Sequence, residues 1–142
     1  MKTVEISYFH LSLFSFLRDS HPEKAADHAF IAARSDAAAE AYSAAIKSGH
    51  THEGAEERAS QILYAGLHFS PYRTVVNILW DEFWEETDSA WAEMVALKLL
   101  PHLAATFAKY PLSDDFAGSA DYRWLYAELV GEIQILLEDG VE

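Results

Sequence analysis

The sequence predicts an all-α fold, a compact multihelical single domain of about six helices without a sheet, covering residues 1–142. Apolar side chains recur every three or four residues along nearly the whole chain, and no segment alternates as a half-buried strand would. Proline, glycine and capping residues divide this pattern into six segments with short connections. A chain of this length can bury roughly two-thirds of its unfolded surface, which is enough for one core.

The first two segments are predicted as long helices. Residues 4–19 carry apolar side chains on both sides, which predicts a helix in the centre of the core. This helix ends before Pro22, because proline disfavours helix in the residue that precedes it. Residues 24–48 contain eleven alanines, which favour helix and let a neighbouring helix approach closely. Gly49 is a typical helix stop.

The next two helices have clear start signals. Thr51 is the predicted N-cap of a helix over about residues 52–66, which carries Glu53, Glu56 and Glu57 early, where the helix dipole favours anions. The fourth segment begins with Ser70 as cap and Pro71 in the first helical position, and it extends to about Glu86.

The last two helices are separated by a short polar link. The fifth segment opens at Asp88 or Ser89 and extends to about Lys109, with a bend or break at Pro101. The sixth covers about residues 120–138, with Ser119 as the expected cap and a glycine at its end.

The charge of the chain is unevenly distributed. Residues 1–80 hold 9 acidic and 7 basic side chains, a net charge of −2, whereas residues 81–142 hold 14 and 3, a net charge of −11. A total of −13 disfavours direct binding to nucleic acid, whose phosphates require clustered lysine and arginine, and it disfavours anionic membranes for the same reason.

Several other classes of protein are disfavoured by composition. The chain has no cysteine, which excludes disulfides, thiolate zinc sites and cysteine nucleophiles. No apolar run approaches the ~20 residues of a membrane span. The apolar stretch at residues 11–17 ends at Arg18 without a cleavage site, so it is not a signal peptide. We expect a soluble, cytoplasmic protein.

Catalytic and metal-binding motifs are weak. His50 and His52, followed by Glu53, form the best metal pattern, but no His-x-x-x-His or Glu-x-x-His pair accompanies them to set two ligands on one helical face. A solvated turn at a helix start explains them more simply. There is no nucleophile motif and no glycine-rich phosphate loop, so we assign no catalytic residue and no cofactor.

The acidic link before the sixth helix allows two interpretations. Asp114, Asp115 and Asp121 could suggest a calcium site, but the regular spacing of an EF-hand loop is missing. Caps at Ser113 and Ser119, followed by acidic first turns, explain the segment without an ion, and we favour that interpretation.

The end of the fourth segment is the most unusual stretch. Acidic and aromatic side chains alternate there: Trp80, Asp81, Glu82, Trp84, Glu85 and Glu86. The acidic residues form like-charge pairs four apart at a helix C-terminus, where the dipole disfavours anions. In one interpretation, which we favour, the broad apolar arc of this helix belongs to the core. This arc comprises Tyr72, Val75, Val76, Leu79, Trp80, Phe83 and Trp84. In the other, a tryptophan stays partly exposed and anchors a basic partner.

Six stretches of the sequence resemble one particular family, and together they span nearly the whole chain. They are Ser7-Tyr8-Phe9 with Phe16-Leu17-Arg18-Asp19-Ser20-His21-Pro22, Ala29-Phe30-Ile31-Ala32-Ala33-Arg34, Gly66-Leu67-His68-Phe69-Ser70-Pro71-Tyr72, Asn77-Ile78-Leu79-Trp80, and Tyr110-Pro111-Leu112-Ser113-Asp114-Asp115-Phe116. The family consists of small uncharacterised proteins of Bacteroidales bacteria, often encoded near conjugative transposons. The resemblance implies a small multihelical fold and no assigned activity.

The leading hypothesis is a non-catalytic accessory protein that binds another, basic protein through its acidic and aromatic face. A sharper variant is mimicry of DNA, in which carboxylates imitate phosphates. The alternative is an enzyme or metal-binding protein with an unrecognised site, using His50 and His52 or the region from Asp114 to Asp121. Association with a second copy fits either hypothesis, since the broad apolar arc could bury itself against a copy.

Overall fold

A computed structural model describes the backbone of residues 2–83 and 89–140 and the side chains of residues 7–83 and 90–140. This part of the chain contains no strand and forms six α-helices: α1 (Lys2–Ser20), α2 (His28–Lys47), α3 (His52–Leu63), α4 (Pro71–Glu82), α5 (Ser89–Phe107) and α6 (Asp121–Asp139). Two short 3-10 helices, Pro22–Lys24 and Phe116–Gly118, lie in the connections. The prediction of an all-α fold with six helices is confirmed.

The chain divides into two compact units, which we call unit 1 (residues 1–67) and unit 2 (residues 68–142). Unit 1 contains α1 to α3, and unit 2 contains α4 to α6. That residues 1–142 behave as a single domain stays a prediction.

Unit 1 is organised around α2, which packs against both α1 and α3. Small side chains lie where α2 and α3 meet the core: Ala38 and Ala39 on α2, Ala55 and Ala59 on α3 are all buried. The larger buried side chains of this core are Phe9, Leu13, Leu17, Ile31, Leu63 and Leu67. Buried alanines let two helices approach closely, as the composition of α2 predicts.

The core of unit 2 is made of larger side chains. Helix α5 packs against α4 and α6, and aliphatic and aromatic groups from all three helices fill the space between them. The fully buried members are Val75, Val76, Ile78, Leu79, Ala92, Ala96, Leu99, Leu103, Leu125, Leu129 and Ile133. Helix α5 continues through Pro101, so the predicted interruption at this proline is not a break.

Three helix boundaries differ by at least three residues from the sequence prediction. Helix α3 ends at Leu63 rather than at about residue 66. Helix α2 begins at His28 rather than near residue 24, because Pro22–Lys24 forms a 3-10 helix and Asp27 is the N-cap. Helix α4 ends at Glu82, with Phe83 as its C-cap, rather than at about Glu86. Residues 84–88 lie outside the described part of the chain, as does the predicted start at Asp88.

The predicted caps have different outcomes. Thr51 Oγ1 accepts a hydrogen bond from the Gly54 amide at 3.1 Å, and Ser70 Oγ accepts one from the Arg73 amide at 2.9 Å, so both caps are confirmed. Ser119 is not a cap, because its hydroxyl donates to the Phe116 carbonyl at 2.7 Å. The residue before α6 is instead Ala120, which has no capping side chain.

None of the described helices is both long enough and apolar enough to cross a membrane.

Candidate functional site

The C-terminal end of α4 carries the described part of the predicted partner-binding residues. The helix buries Val75, Val76 and Leu79 against the core, as an apolar arc at helical spacing should. Trp80 lies at the edge of this arc and is 37% exposed. Asp81 follows it on the exposed surface. The arc is therefore core over most of its width, and its tryptophan edge reaches solvent.

Trp80 has a cationic neighbour on its own helix. The Arg73 guanidinium lies 5.9 Å from the centre of the Trp80 ring and 5.5 Å from that of Tyr72. Such a cation–π contact at an exposed site is worth about 0.5–1 kcal/mol. The face of the Trp80 indole can therefore hold a guanidinium group.

The two carboxylates of α4 interact differently with α6. The Tyr126 hydroxyl donates a hydrogen bond to Glu82 Oε2 at 2.9 Å, and burial together with this bond raises the pKa of Tyr126 well above its ordinary value. Burial, and then the nearby charge of Asp81, raise the pKa of Tyr122. Within the described residues Asp81 itself makes no hydrogen bond or ion pair. As far as residues 7–83 and 90–140 are concerned, its carboxylate is therefore left for an external cation.

The rest of the predicted partner-binding set cannot be placed. Trp84, Glu85 and Glu86 lie outside the described residues. The structure adds Tyr122 and Tyr126, which sequence reasoning missed because they follow Trp80 by more than forty residues and carry no motif.

The weak metal candidates do not come together with further ligands. His52 Nε2 lies 3.1 Å from Glu56 Oε2, and the Tyr42 hydroxyl lies 2.5 Å from His52 Nδ1, so neighbours occupy both nitrogens of this ring. His50 is exposed in the turn before α3. Within residues 2–83 and 89–140 no three histidine, aspartate or glutamate side chains are arranged to hold a metal ion.

Asp114 has a role that the sequence did not predict. Its Oδ1 accepts a hydrogen bond from the His68 amide at 3.1 Å, and its Oδ2 lies 3.0 Å from His68 Nδ1. The pair joins the link before α6 to the segment before α4. Asp114 therefore holds two loops of unit 2 together, while Asp115 precedes the 3-10 helix and Asp121 lies in the first turn of α6.

An apolar groove of about 470 Å³ lies at the C-terminal end of α5. It is lined by Pro71, Leu100, Ala104, Phe107, Ala108, Tyr110 and Leu112. At its edge, Glu128 of α6 accepts hydrogen bonds from the Tyr110 hydroxyl at 2.5 Å and from Lys109 Nζ at 2.7 Å. The bond to Glu128, helped by burial, raises the pKa of Tyr110 to about 12. No nucleophile or ligand cluster accompanies the groove in the described residues, so it has no evident chemistry.

Comparison with known proteins supplies the family. A family model described as a domain of unknown function, DUF1896, matches residues 1–141. The chain belongs to the DUF1896 family. This agrees with the resemblance to an uncharacterised helical family, while the association with conjugative transposons stays a prediction.

A solved structure resembles this DUF1896 protein over most of both chains. It is the crystal structure of protein PG0816 from Porphyromonas gingivalis, a member of the Bacteroidales, as the resemblance implies. The two chains are 44% identical and superpose with a TM-score of 0.92, covering 97% of this chain and 94% of the other. No curated protein sequence matches the chain.

Proposed function

We propose that this DUF1896 protein is a non-catalytic interaction protein that binds a basic protein through an acidic, aromatic patch. The patch consists of Trp80, Asp81 and Glu82, and the proposal extends it along the chain to Trp84, Glu85 and Glu86. The observation that carries the proposal is the 37% exposure of Trp80 next to Asp81, whose carboxylate has no hydrogen-bond or ion-pair partner within the described residues.

The chemistry of the patch suits an arginine or lysine of the partner. A guanidinium can stack on an indole face while it donates hydrogen bonds to an adjacent carboxylate. Arg73 already makes the stacking interaction with Trp80. An arginine of the partner can add the hydrogen bonds to the Asp81 carboxylate. Tryptophan is also enriched among the residues that dominate the binding energy of protein interfaces.

The charge of unit 2 supports a basic partner. Residues 68–142 contain 14 acidic and 4 basic side chains, so the net charge is −10. A surface of one sign steers a partner of the opposite sign during diffusional encounter, and salt weakens this attraction. In the DNA-mimic form of the proposal, the partner is a protein whose basic surface otherwise binds DNA.

The test is a pull-down of basic proteins from an extract of the native cells. The wild-type protein is compared with the variant Trp80→Ala/Asp81→Asn and with Trp124→Ala as a matched control. Trp124 is also an exposed tryptophan, but on α6 it lies two residues from both Tyr122 and Tyr126 and so points away from the patch. We expect the patch variant to lose bound proteins that the wild type and the control retain.

Far-UV circular dichroism checks that all three proteins are folded. If the folded patch variant captures the same proteins as the wild type, the patch is not the binding site. A salt titration of the captured partner then tests the electrostatic part, because affinity should fall steeply between 50 and 200 mM salt if carboxylates imitate phosphates. Affinity that is independent of salt would contradict both the basic partner and the mimicry of DNA.

A further inference from the structure

Helix α5 is apolar on two opposite faces. One face lies in the core of unit 2, where Ala92, Ala96, Leu99 and Leu103 are fully buried. In its 19 residues the helix carries only two side chains of full charge, Glu93 and Lys98. A helix that is apolar all round is normally buried on all sides, so the second face requires an explanation.

The second face of α5 is exposed. Met94 and Leu97 are 53% and 51% exposed. They belong to a row of exposed apolar residues spaced alternately by four and three positions, and this seam comprises Ala90, Met94, Leu97, Pro101 and Ala104. An average spacing of 3.5 residues is the pattern by which one helix packs along another. No helix of the described residues covers the seam.

The charged residues flank this seam on opposite sides. Glu93 precedes Met94 and Lys98 follows Leu97, so they occupy the two edge positions that border the seam of a helix pair. Both side chains are exposed, and neither has an ion-pair partner in the described part of the chain.

We propose that a second copy of this chain covers the seam, with the two α5 helices packed in parallel about a twofold axis. In a parallel pair, the residue that directly precedes a seam residue on one helix lies opposite a residue of the other helix whose number is higher by five. Glu93 and Lys98 are five positions apart, so the twofold axis creates two Glu93–Lys98 ion pairs between the copies. In an antiparallel pair, Glu93 would face Glu93 and Lys98 would face Lys98, which like-charge repulsion disfavours.

The expected interface is small. The seam from Ala90 to Ala104 is about 21 Å long at 1.5 Å per residue, and such a contact buries on the order of a few hundred Å² per copy. Stable interfaces bury about 800 Å² per partner, so we expect a dissociation constant in the micromolar range. The groove that adjoins the seam at Ala104 can add to the contact. The proposal does not depend on the patch at the end of α4.

The first test measures mass by sedimentation equilibrium over a range of concentrations. The wild type should approach twice its chain mass of 15.9 kDa, and Leu97→Glu should raise the dissociation constant at least tenfold, because it places a charge in an apolar contact. Ile135→Glu, at an exposed isoleucine of α6, is the matched control and should dimerise as the wild type does. A wild type that is monomeric at every concentration up to about 1 mM would overturn the proposal.

Charge reversals test the parallel register. Glu93→Lys and Lys98→Glu should each weaken the dimer severalfold, and the double variant should restore it, because both ion pairs re-form with opposite sign. The parallel arrangement would be overturned if neither reversal changed the dissociation constant of the dimer, or if the double variant dimerised more weakly than both single variants.

Cross-linking provides a measurement that does not depend on affinity. The chain has no cysteine, so a single introduced thiol can react only with that of another copy. Leu97→Cys should form an intermolecular disulfide under mild oxidation, since equivalent seam residues face each other in a parallel pair. Ile135→Cys should not. Equal cross-linking of both variants would contradict the proposed interface.

Discussion

Unit 1 packs its helices through small side chains, whereas unit 2 packs α4, α5 and α6 through large aliphatic and aromatic ones. Five buried alanines lie on α2 and α3, and six larger side chains complete the core of this unit. Unit 2 adds an aromatic group around the link before α6, in which Phe69, Phe116 and Tyr122 make edge-to-face contacts. Three helices can therefore enclose a core in two ways: small side chains let the helices approach closely, or large side chains fill the space between them.

The surfaces of the two units differ as well. Unit 1 has 9 acidic and 6 basic side chains, a net charge of −3, against −10 for unit 2. Several carboxylates of unit 2 accept hydrogen bonds from tyrosine, threonine or lysine of a neighbouring helix or of the turn after α5: Glu82 from Tyr126, Glu128 from Tyr110 and Lys109, and Glu132 from Thr106. Among the residues that the structure describes, Asp81 accepts no such hydrogen bond and no helix covers the exposed face of α5, and both proposed interfaces therefore lie in unit 2.

The largest expected effect comes from the two cores and tests whether the units unfold together. Leu63→Ala in unit 1 and Leu129→Ala in unit 2 should each lower the free energy of unfolding by about 2–5 kcal/mol, because both side chains are fully buried. All four tryptophans lie in unit 2, so their fluorescence follows that unit alone, while far-UV circular dichroism follows the helices of both.

A single domain predicts that the two signals coincide in urea and that Leu63→Ala shifts both of them. If Leu63→Ala shifts the circular dichroism transition and leaves the fluorescence transition in place, residues 1–142 form two domains and the single-domain prediction is wrong.

The next effect tests the close approach of helices in unit 1. Ala38→Leu should destabilise the protein by about 1–3 kcal/mol, because Ala38 is fully buried and a larger side chain must displace its neighbours. Ala37→Leu is the matched control at the adjacent, exposed position of α2 and should change stability by less than about 0.5 kcal/mol. Equal urea midpoints for the two variants would show that alanine is not required at the buried position.

The smallest effect concerns the contact of Tyr110 with Glu128 in unit 2. Because the pKa of Tyr110 is raised from 10.0 to about 12, the folded state holds this proton more tightly than the unfolded state. The contribution to stability is complete below pH 10 and is lost as the pH rises toward about 12. At the acid end, the hydrogen bonds from Lys109 and Tyr110 lower the pKa of Glu128, so stability falls as the pH drops below the ordinary glutamate range.

Urea midpoints measured against pH check both ends. Tyr110→Phe should reduce the fall of the urea midpoint at alkaline pH. Glu128→Gln should reduce its fall at both alkaline and acid pH. Tyr8→Phe, at an exposed tyrosine of unit 1, controls for the loss of one phenol. If the urea midpoint of Tyr110→Phe falls as steeply at alkaline pH as that of the wild type, the alkaline loss of stability does not come from the contact of Tyr110 with Glu128.

Local signals in the sequence predicted the helices well. Thr51 and Ser70 cap their helices because a side-chain oxygen needs only an amide two or three residues away. Ser119 looks equivalent in sequence but turns its hydroxyl back to Phe116, since that 3-10 helix offers a carbonyl at 2.7 Å. The choice between these bonds depends on the backbone path, which the residues near Ser119 do not reveal.

The sequence by itself determined that this chain is helical, acidic and without a recognisable catalytic motif, because helix periodicity, capping and charge are properties of neighbours along the chain. Only the tertiary structure decided that Asp114 pairs with His68 across 46 residues, that Trp80 reaches solvent at the edge of its helix, and that one of the two apolar faces of α5 is left exposed. Contacts between distant residues set these outcomes, and apolar spacing alone does not say which face finds a neighbour within its own chain.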